Sequence, residues 1–395
     1  MADFDPRVYW LWLQHALGAG SSKQNRVLAG FPSLRAFYEA GRRTWLLEGY
    51  FTPKEIHAME TWTAKEAEAL LEFCGKIGQR VITPESGEYP ELLRQIPNPP
   101  CALFLRGTLP DLSHRLSISI VGTRKATATG RGAARSIAFE LAKKGVVVVS
   151  GGALGVDTAA HQGALQAGGC TVCVLGCGID AEYLMVNASM RDAIAANGAL
   201  ISEYPPQTQP YSSNFPIRNR IISGLSLGTL VVEAAARSGS LITADFALDQ
   251  GRDVFAIPAD IFSPVSQGVN SLIKSGAKPV SRAEEILEEY SERFPEKIYL
   301  DDGKTNDMIK DNGMVPEKQE SETGMPDLSS LSEDAQAVFH TLSPKPCHLS
   351  EIEAKTKLSA PRLMAAVTEL ELACAVQTYS GGRYSLPRRT QKNKL

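Results

Sequence analysis

Residues 214–220, Asn-Phe-Pro-Ile-Arg-Asn-Arg, are the densest cluster of side chains in the chain that could bind a charged ligand. Arginine binds phosphates and an aromatic ring stacks on a base, a combination typical of proteins that hold single-stranded nucleic acid. In the alternative interpretation, Phe215 fills a gap in the core and the arginines pair with Asp180 or Glu203. We expect a loop here that leads to a helix over Ile221–Leu227. For either arginine alone, both interpretations stay open.

Glycine-containing turns follow predicted buried strands at three places. Gly122-Thr123-Arg124 and Ser150-Gly151-Gly152 follow two successive strands, and Ser238-Gly239-Ser240 follows a later one. In a parallel sheet such turns lie at the carboxyl edge beside helix N-termini, where backbone N–H groups attract anions. Arg124 would add a bidentate phosphate contact. The alternatives are a tight turn that simply needs glycine, and helix capping by Ser240. No turn carries the pattern of a Walker loop or a dinucleotide site, so we expect no nucleotide cofactor.

Four further residues have the chemistry of general acids and bases. Asp157 and His161 lie four residues apart on a predicted helix, and Glu203 and Glu233 lie at predicted strand ends. In the alternative interpretation they are structural, with Asp157 near a helix N-terminus and His161 packed as a polar neighbour. We favour the structural interpretation because the sequence has no serine nucleophile elbow and no carboxylate cluster with metal-ligand spacing. The chain is therefore predicted not to be an enzyme.

Composition and charge indicate an ordinary globular protein. The 395 residues carry a net charge of −3, and hydrophobic residues make up 43% of them. The odd number of cysteines, 7, argues against a disulfide framework. Cys170, Cys173 and Cys177 lack a second ligand cluster, so we expect no metal. The start of the chain lacks a basic signal region, and no apolar stretch reaches the length of a membrane span. A cytoplasmic location is expected.

Strands and helices alternate from about residue 116 to residue 280. Buried runs without polar alternation, joined by helical crossovers, are typical of a parallel sheet covered on both faces. We therefore predict an α/β fold with a Rossmann-like, doubly wound, mainly parallel sheet. The predicted strands are Ile118–Val121, Val146–Val149, Val172–Leu175, Ala199–Ile201, Thr229–Val232 and Val254–Ile257, with lead-in strands at Val81-Ile82 and Ala102–Leu105.

Other segments of the chain predict further modules. We expect a small helical module over 1–80, the Rossmann-like domain over 81–285, a flexible linker over 286–330, a winged helix over 331–387 and a basic tail over 388–395. Residues 281–330 hold 6 basic and 14 acidic residues, which supports the linker. Within the helical module, the turn Leu17–Gly20 resembles that of a small nucleic-acid-binding module. A helical hairpin packed on its neighbour is the alternative.

The winged helix is predicted from three helices followed by a Gly-Gly hairpin at residues 381–382. A transcription regulator that acts through this domain is one interpretation. However, the third helix, Pro361–Leu372, carries Arg362 as its only cation beside Glu369 and Glu371, and it would read the major groove poorly. We therefore expect protein contact or weak DNA binding from this domain.

Many ordered motifs resemble those of the DprA/Smf family, the DNA-processing proteins of bacterial natural transformation. The resemblance is dense over residues 90–280. The motifs are Val121–Arg124 (VGTR), Ser150–His161 (SGGALGVDTAAH), Val174–Asp180 (VLGCGID), Ser202–Pro205 (SEYP), Phe215–Ser226 (FPIRNRIISGLS), Val232–Ala244 (VEAAARSGSLITA), Gln250–Pro258 (QGRDVFAIP) and Gly268–Gly276.

The resemblance implies a protein that binds and protects incoming single-stranded DNA during competence and loads the RecA recombinase onto it. It also implies a homodimer formed through the Rossmann-like domain. Carried over to this chain, the DNA site of the family falls on Arg124, Ser150, Gly151, Gly152, Asn214, Phe215, Arg218, Asn219 and Arg220, with Lys274 as an extension.

A nucleotide-processing hydrolase is the competing function. The LOG-type phosphoribohydrolases share this branch of the fold and cleave a base from a nucleoside monophosphate. They carry a Pro-Gly-Gly-x-Gly-Thr loop, whereas residues 233–240 of this chain read Glu-Ala-Ala-Ala-Arg-Ser-Gly-Ser.

Overall fold

The computed structural model describes residues 4–182, 187–263, 265–294, 331–343, 345, 347–373, 375–379 and 383–386. The chain divides into two compact units, Met1–Leu300 and Asp301–Leu395. Within these ranges, no helix is both long enough and apolar enough to cross a membrane.

A bundle of five helices begins the first unit. Two of them start with capping boxes, in which a threonine and a glutamate satisfy free backbone groups reciprocally. The first helix is buried along its whole stretch from Val8 to Gln14, because the other helices and the sheet surround it. The predicted helical module is confirmed. The helices are α1 (Pro6–Leu17), α2 (Lys23–Gly30), α3 (Leu34–Leu47), α4 (Pro53–Thr61) and α5 (Ala64–Lys76).

A nine-stranded sheet forms the centre of this unit, and its strand order is β1-β2-β6-β5-β4-β3-β7-β8-β9. The seven strands from β6 to β9 in this order are parallel, whereas β1 and β2 pair antiparallel at one edge. Each of the eight predicted strands is present, and β9 is an additional strand that was not predicted from the sequence. The strands are β1 (Arg80–Ile82), β2 (Leu103–Gly107), β3 (Ser117–Val121), β4 (Val147–Ser150), β5 (Thr171–Leu175), β6 (Ala199–Ser202), β7 (Gly228–Val231), β8 (Asp253–Ala256) and β9 (Lys278–Pro279).

Helices cover both faces of the sheet, as a doubly wound fold requires. In β3, Ile118 and Ile120 face the side that α7 and α8 cover, whereas Val121 faces the side of α10 and α11. The helices are α6 (Glu91–Arg94), α7 (Ala128–Lys143), α8 (Val156–Gln166), α9 (Ala188–Asn197), α10 (Asn214–Gly224), α11 (Gly239–Asp249), α12 (Gln267–Lys274) and α13 (Glu284–Leu287).

The chain reverses its winding direction between β3 and β7. From β3 the strands proceed outward to β4, β5 and β6 on one side, and β7, β8 and β9 continue on the other side. The turns after β3 and β7 therefore diverge at the carboxyl edge of the sheet. In open α/β sheets this switch point is where ligands bind.

The turn between α1 and α2 packs against the α/β part of the same unit. Gly18 and Gly20 have φ of 74° and 82°, which glycine adopts without strain. The backbone N–H of Gly20 donates to the carboxylate of Glu203 at 3.2 Å. A Cβ at Gly20 would lie 2.7 Å from Cγ2 of Ile217. Of the two interpretations of this turn, the structure favours the packed hairpin.

The predicted start of the linker at residue 286 is too early. The side chains of Ile286, Leu287, Tyr290 and Phe294 are buried in the core beneath the sheet, and the Tyr290 hydroxyl donates to Asp253 at 2.6 Å. The glutamates between these apolar residues dominate the composition of the segment and mask the helical spacing of the apolar residues. The rest of the predicted linker, residues 295–330, lies outside the described residues.

The second unit has the predicted winged-helix elements around its own core. Three helices pack together, and a small antiparallel sheet has the order β10-β12-β11. Glycines 381 and 382 of the predicted hairpin and the basic tail, 388–395, lie outside the described residues. The elements are α14 (Glu333–Thr341), β10 (Cys347–His348), α15 (Leu349–Thr356), α16 (Ala360–Leu372), β11 (Gln377–Tyr379) and β12 (Arg383–Ser385).

Candidate functional site

A cleft of about 650 Å³ opens at the switch point between β3 and β7. The turn after β3 forms one wall, the first turns of α10 form a second, and the N-terminal turn of α11 forms a third. Because α11 begins here, its unpaired backbone N–H groups and its dipole favour an anion in the cleft. Some of the side chains that were predicted to bind the ligand lie at this cleft, and others lie elsewhere.

The segment that contains Phe215 is helical, and the predicted loop is wrong. α10 begins at Asn214, seven residues before the predicted start at Ile221. Pro216 does not prevent this earlier start, because proline is tolerated in the first turn of a helix, where its missing N–H costs no hydrogen bond. Helical spacing then places Phe215 and Arg218 on the same side of α10, toward the cleft.

Arg124 and Phe215 form the mouth of the cleft. The exposed guanidinium of Arg124 lies 5.0 Å from the centroid of the Phe215 ring, and the guanidinium of Arg218 lies 5.7 Å from it. The ring is half-buried and packs closely on Gly176, where a Cβ would lie 3.0 Å from the ring. Phe215 thus combines a packing contact with a place at the cleft. The two guanidiniums make this part of the cleft positive.

Arg218 is largely committed to the protein backbone. It is 4% exposed, and its guanidinium donates to the carbonyl oxygens of Gly151, at 2.8 Å, and of Val174. It lines the cleft beside the carboxylate of Asp157. Its positive charge therefore contributes to the field in the cleft, while its position holds the turn after β4.

Arg220 does not belong to the cleft, which corrects the prediction for this residue. It is 1% exposed and forms a bidentate ion pair with Glu203 at 2.7 and 2.8 Å. The reason is helical phase: a residue two positions after Arg218 lies on nearly the opposite side of the helix. The alternative pairing with Glu203 was correct.

The prediction that the turn after β4 contacts DNA is also corrected, because the residues of this turn lie beneath the site and support it. Ser150 is fully buried, and its hydroxyl donates to the carbonyl oxygen of Ile120 at 2.6 Å. A Cβ at Gly151 would lie 2.8 Å from the Asp157 carboxylate, and one at Gly152, with φ of 68°, would lie 2.6 Å from Sγ of Cys173. The glycines are required by close packing, which sequence alone could not distinguish from a phosphate contact.

The remaining predicted residues fall at three places. Asn219 lines the cleft, and its side-chain amide donates to the carbonyl oxygen of Gly239 at 3.2 Å. Asn214 lines a neighbouring pocket. Lys274 is exposed in the last turn of α12 and is not among the residues that line the cleft. The exposed Lys125 does line it and was overlooked, although it directly follows Arg124.

The titratable residues near the cleft are shifted by burial. Burial raises the pKa of Asp157 to about 6, although the nearby positive charge of Arg218 opposes the shift. Burial likewise lowers the pKa of His161 to about 3, and its Nδ1 is 2.8 Å from the Thr171 hydroxyl. Asp157 also accepts a hydrogen bond from the backbone N–H of Ala153 at 3.3 Å. Asp157 is thus the group in the cleft whose charge changes near neutral pH.

The other acidic candidates hold structural positions. Glu233 accepts from both the backbone N–H and the hydroxyl of Thr127, the residue that caps α7, at 2.9 and 2.5 Å. Glu203 is bound to Arg220. Across the described residues, no group of three or more His, Cys, Asp or Glu could hold a metal ion. These contacts favour the structural interpretation of both glutamates.

Comparisons with known proteins identify both parts of the chain. A family model described as DNA recombination-mediator protein A matches residues 80–291, and one described as DprA winged helix domain matches residues 322–382. The protein Smf of Escherichia coli is 34% identical over 339 residues, which cover 85% of each chain. The DNA processing protein DprA of Bacillus subtilis is 44% identical over 216 residues, covering 55% of this chain and 73% of that protein.

A solved structure shares the fold as well. The X-ray structure of DNA processing protein A from Streptococcus pneumoniae matches with a TM-score of 0.59 and 29% identity, covering 73% of this chain and 99% of that one. The doubly wound sheet, the winged helix and the two family matches agree with one another. The chain belongs to the DprA/Smf family of DNA-processing proteins.

Proposed function

We propose that this protein binds single-stranded DNA in the cleft between β3 and β7. The observation that carries the proposal is the contact at the cleft mouth, where the exposed Arg124 lies 5.0 Å over the ring of Phe215. A guanidinium stacked on an aromatic ring offers a flat surface for a base and a positive charge for a phosphate. In this proposal the phosphates lie near Arg124, Lys125 and the N-terminus of α11.

The shape of the site supports a preference for single strands. The ring of Phe215 is half-buried within a cleft of about 650 Å³, so a base must leave its stack to reach the ring. Bases of a single strand can turn outward freely, whereas bases in a duplex are held by stacking and pairing. Arg218 adds positive charge from beneath, and Asp157 opposes it when ionised.

Family membership supports the wider role that we propose. The protein would protect incoming single-stranded DNA in the cytoplasm during natural transformation, load the RecA recombinase onto it, and act as a homodimer through the Rossmann-like domain. We propose that this domain ends near residue 294, with a linker before the winged helix. In the winged helix, Arg362 is ion-paired with Asp334 at 2.7 Å, which supports a role in protein contact or weak DNA binding.

We further propose a binding function without catalysis. Two of the acids that a nucleotide hydrolase could use are engaged elsewhere, since Glu233 binds the N-terminus of α7 and Glu203 binds Arg220. The deciding experiment is a salt-dependent titration of single-strand and duplex oligonucleotides of the same sequence, with a nucleotide-hydrolysis assay on the same preparation. We expect tighter single-strand binding that weakens with salt, and no release of base or phosphate. Equal duplex binding, or hydrolysis above the buffer rate, would contradict the proposal.

A further inference from the structure

A second pocket, of about 290 Å³, lies on the other side of the start of α10. Its walls come from the helical module, through His15 and Trp62, and from the α/β part, through Tyr204, Tyr211 and Asn214. Residues 211–216 form a ridge between the two cavities. Ser212, Phe215 and Pro216 line the cleft, while Tyr211 and Asn214 line the pocket. A single DNA strand that leaves the cleft and crosses this ridge reaches the pocket directly.

The pocket has a flat aromatic wall. The rings of His15 and Trp62 are stacked with centroids 4.3 Å apart and planes inclined by 16°. Partial burial lowers the pKa of His15, which favours the neutral form of its ring. Tyr211 is 63% exposed, so its ring is accessible to a ligand. Such exposed rings beside a cationic cleft are the surfaces on which single-strand binders stack bases.

Polar groups in the pocket are available to a ligand. Among the described residues, no hydrogen bond is made by the side-chain amide of Asn214 or by the hydroxyl of Tyr211. An amide offers both a donor and an acceptor, which matches the edge of a base. The carboxylate of Glu203, also at the pocket, is neutralised by Arg220. The pocket walls thus suit a neutral planar ligand better than a phosphate.

We propose that this pocket binds one nucleobase of the same single strand whose neighbouring nucleotides occupy the cleft. The inference rests on the proposed function and extends it to the helical module, which then contributes a DNA-binding surface. The size allows this, since a pocket of about 290 Å³ lies near the lower limit of roughly 300 Å³ for small-molecule sites and has room for one planar base. The base would lie against the His15–Trp62 stack, with Tyr211 and Asn214 at its edge.

The test uses the full chain and oligothymidylates of stepwise increasing length, with affinity measured by fluorescence anisotropy. The variants are Tyr211→Ala and His15→Ala, and the matched control is Leu47→Ala, an apolar side chain of the helical module that is 78% exposed and lines neither cavity. We expect the affinity of the wild type to increase once the oligonucleotide is long enough to cross the ridge. Both variants should lose that gain, by roughly fivefold or more, and bind the shortest oligonucleotides normally.

The outcomes separate the pocket from the cleft. If both variants match the wild type at every length, or lose affinity even for the shortest oligonucleotides, the pocket does not hold a base. Arg124→Glu should weaken binding at every length, so it reports on the cleft alone. A wild type that binds no single strand would overturn the proposed function and the pocket together.

Photocrosslinking identifies the occupant independently of affinity. An oligonucleotide with a single iododeoxyuridine, placed at each position in turn, is crosslinked to the full chain and the modified peptides are identified by mass spectrometry. We expect one position to crosslink to Trp62 or Tyr211 and an adjacent region of the strand to crosslink to Phe215. Crosslinks to Phe215 alone would overturn the proposal.

Discussion

Arg220 and Glu203 form a bidentate ion pair, with nitrogen–oxygen distances of 2.7 and 2.8 Å and side chains that are 1% and 3% exposed. The pair links α10 to the end of β6, and the same carboxylate accepts from the backbone N–H of Gly20 in the helical module. Three parts of the first unit therefore meet at one buried charge pair. Loss of either partner would leave the other buried and unpaired.

Arg220→Ala should destabilise the fold strongly. Removal of one partner of a buried ion pair typically costs about 3–5 kcal/mol, because the remaining charge is uncompensated. We expect a lower midpoint in urea denaturation, and weaker DNA binding only in proportion to unfolded protein. Arg124→Ala is the matched control, since its guanidinium is exposed. An Arg220→Ala protein with wild-type stability would show that the pair is not important for the fold.

Arg124→Glu should reduce single-strand affinity without changing the melting temperature. Each phosphate contact that is lost flattens the slope of log affinity against log salt by about 0.7 for a single strand. Anisotropy titrations at several salt concentrations measure this slope. The control is Arg43→Glu, an exposed arginine of α3 that does not line the cleft. An unchanged slope for Arg124→Glu would remove this residue from the DNA site.

Phe215→Ala should affect binding more than stability. A stacking ring contributes about 1–3 kcal/mol per base, whereas truncation of a fully buried phenylalanine costs about 3–5 kcal/mol of folding free energy. Phe215 is half-buried, so its stability cost should fall below that of Phe255→Ala, which removes a ring that is 1% exposed. Thermal melting and anisotropy on both variants provide the comparison. If Phe215→Ala melts as low as Phe255→Ala and its folded fraction binds normally, the ring has only a packing role.

Single-strand affinity should increase as the pH falls through about 6. Burial raises the pKa of Asp157 to about 6 from 3.8, so its carboxyl group is ionised at pH 7 and becomes neutral below 6 in the folded chain. Loss of that negative charge makes the cleft more favourable for phosphate. His161 stays neutral over this range because burial lowers its pKa to about 3.

Anisotropy between pH 5 and pH 8, roughly the range around this pKa, measures the effect, and Asp157→Asn is the control. The variant should bind more tightly at pH 7 and lose this part of the pH dependence. The same shift predicts a stability effect: the folded state favours the protonated carboxyl, so stability decreases as the pH rises from 3.8 through 6. Identical pH profiles for wild type and Asp157→Asn would show that another group titrates.

Truncation should distinguish the end of the first unit from the linker. A chain that ends after residue 300 retains Phe294 and Tyr290 in the core, and it should melt like the first unit of the full protein and bind single strands. A chain that ends after residue 283 lacks Ile286, Leu287, Tyr290 and Phe294, and it should melt lower because each buried side chain contributes about 1.5–3 kcal/mol. Equal melting of the two fragments would place the boundary earlier.

The strands and most helices could be predicted from the sequence because their signals are local. Buried parallel strands appear as short apolar runs, as at Ile118–Val121, and helices as repeated apolar positions with capping residues. Glycine-containing turns after the strands also indicated the correct edge of the sheet. The motifs that carry the family resemblance lie in the same segments. A charged composition hid the apolar spacing of Ile286 and Leu287, which is why the linker was predicted too early.

Only the tertiary structure decided what each arginine near residue 214 does. Arg218 and Arg220 are equal candidates in sequence, but the helix that begins at Asn214 turns one toward the cleft and the other toward Glu203. Ion pairing depends on which elements lie next to each other in the folded chain. The end of β6 and α10 are brought together by the tertiary fold, and the local sequence does not indicate this contact. The pocket beside Tyr211 is hidden for the same reason, because its walls come from His15 and Trp62, which lie far away in the chain.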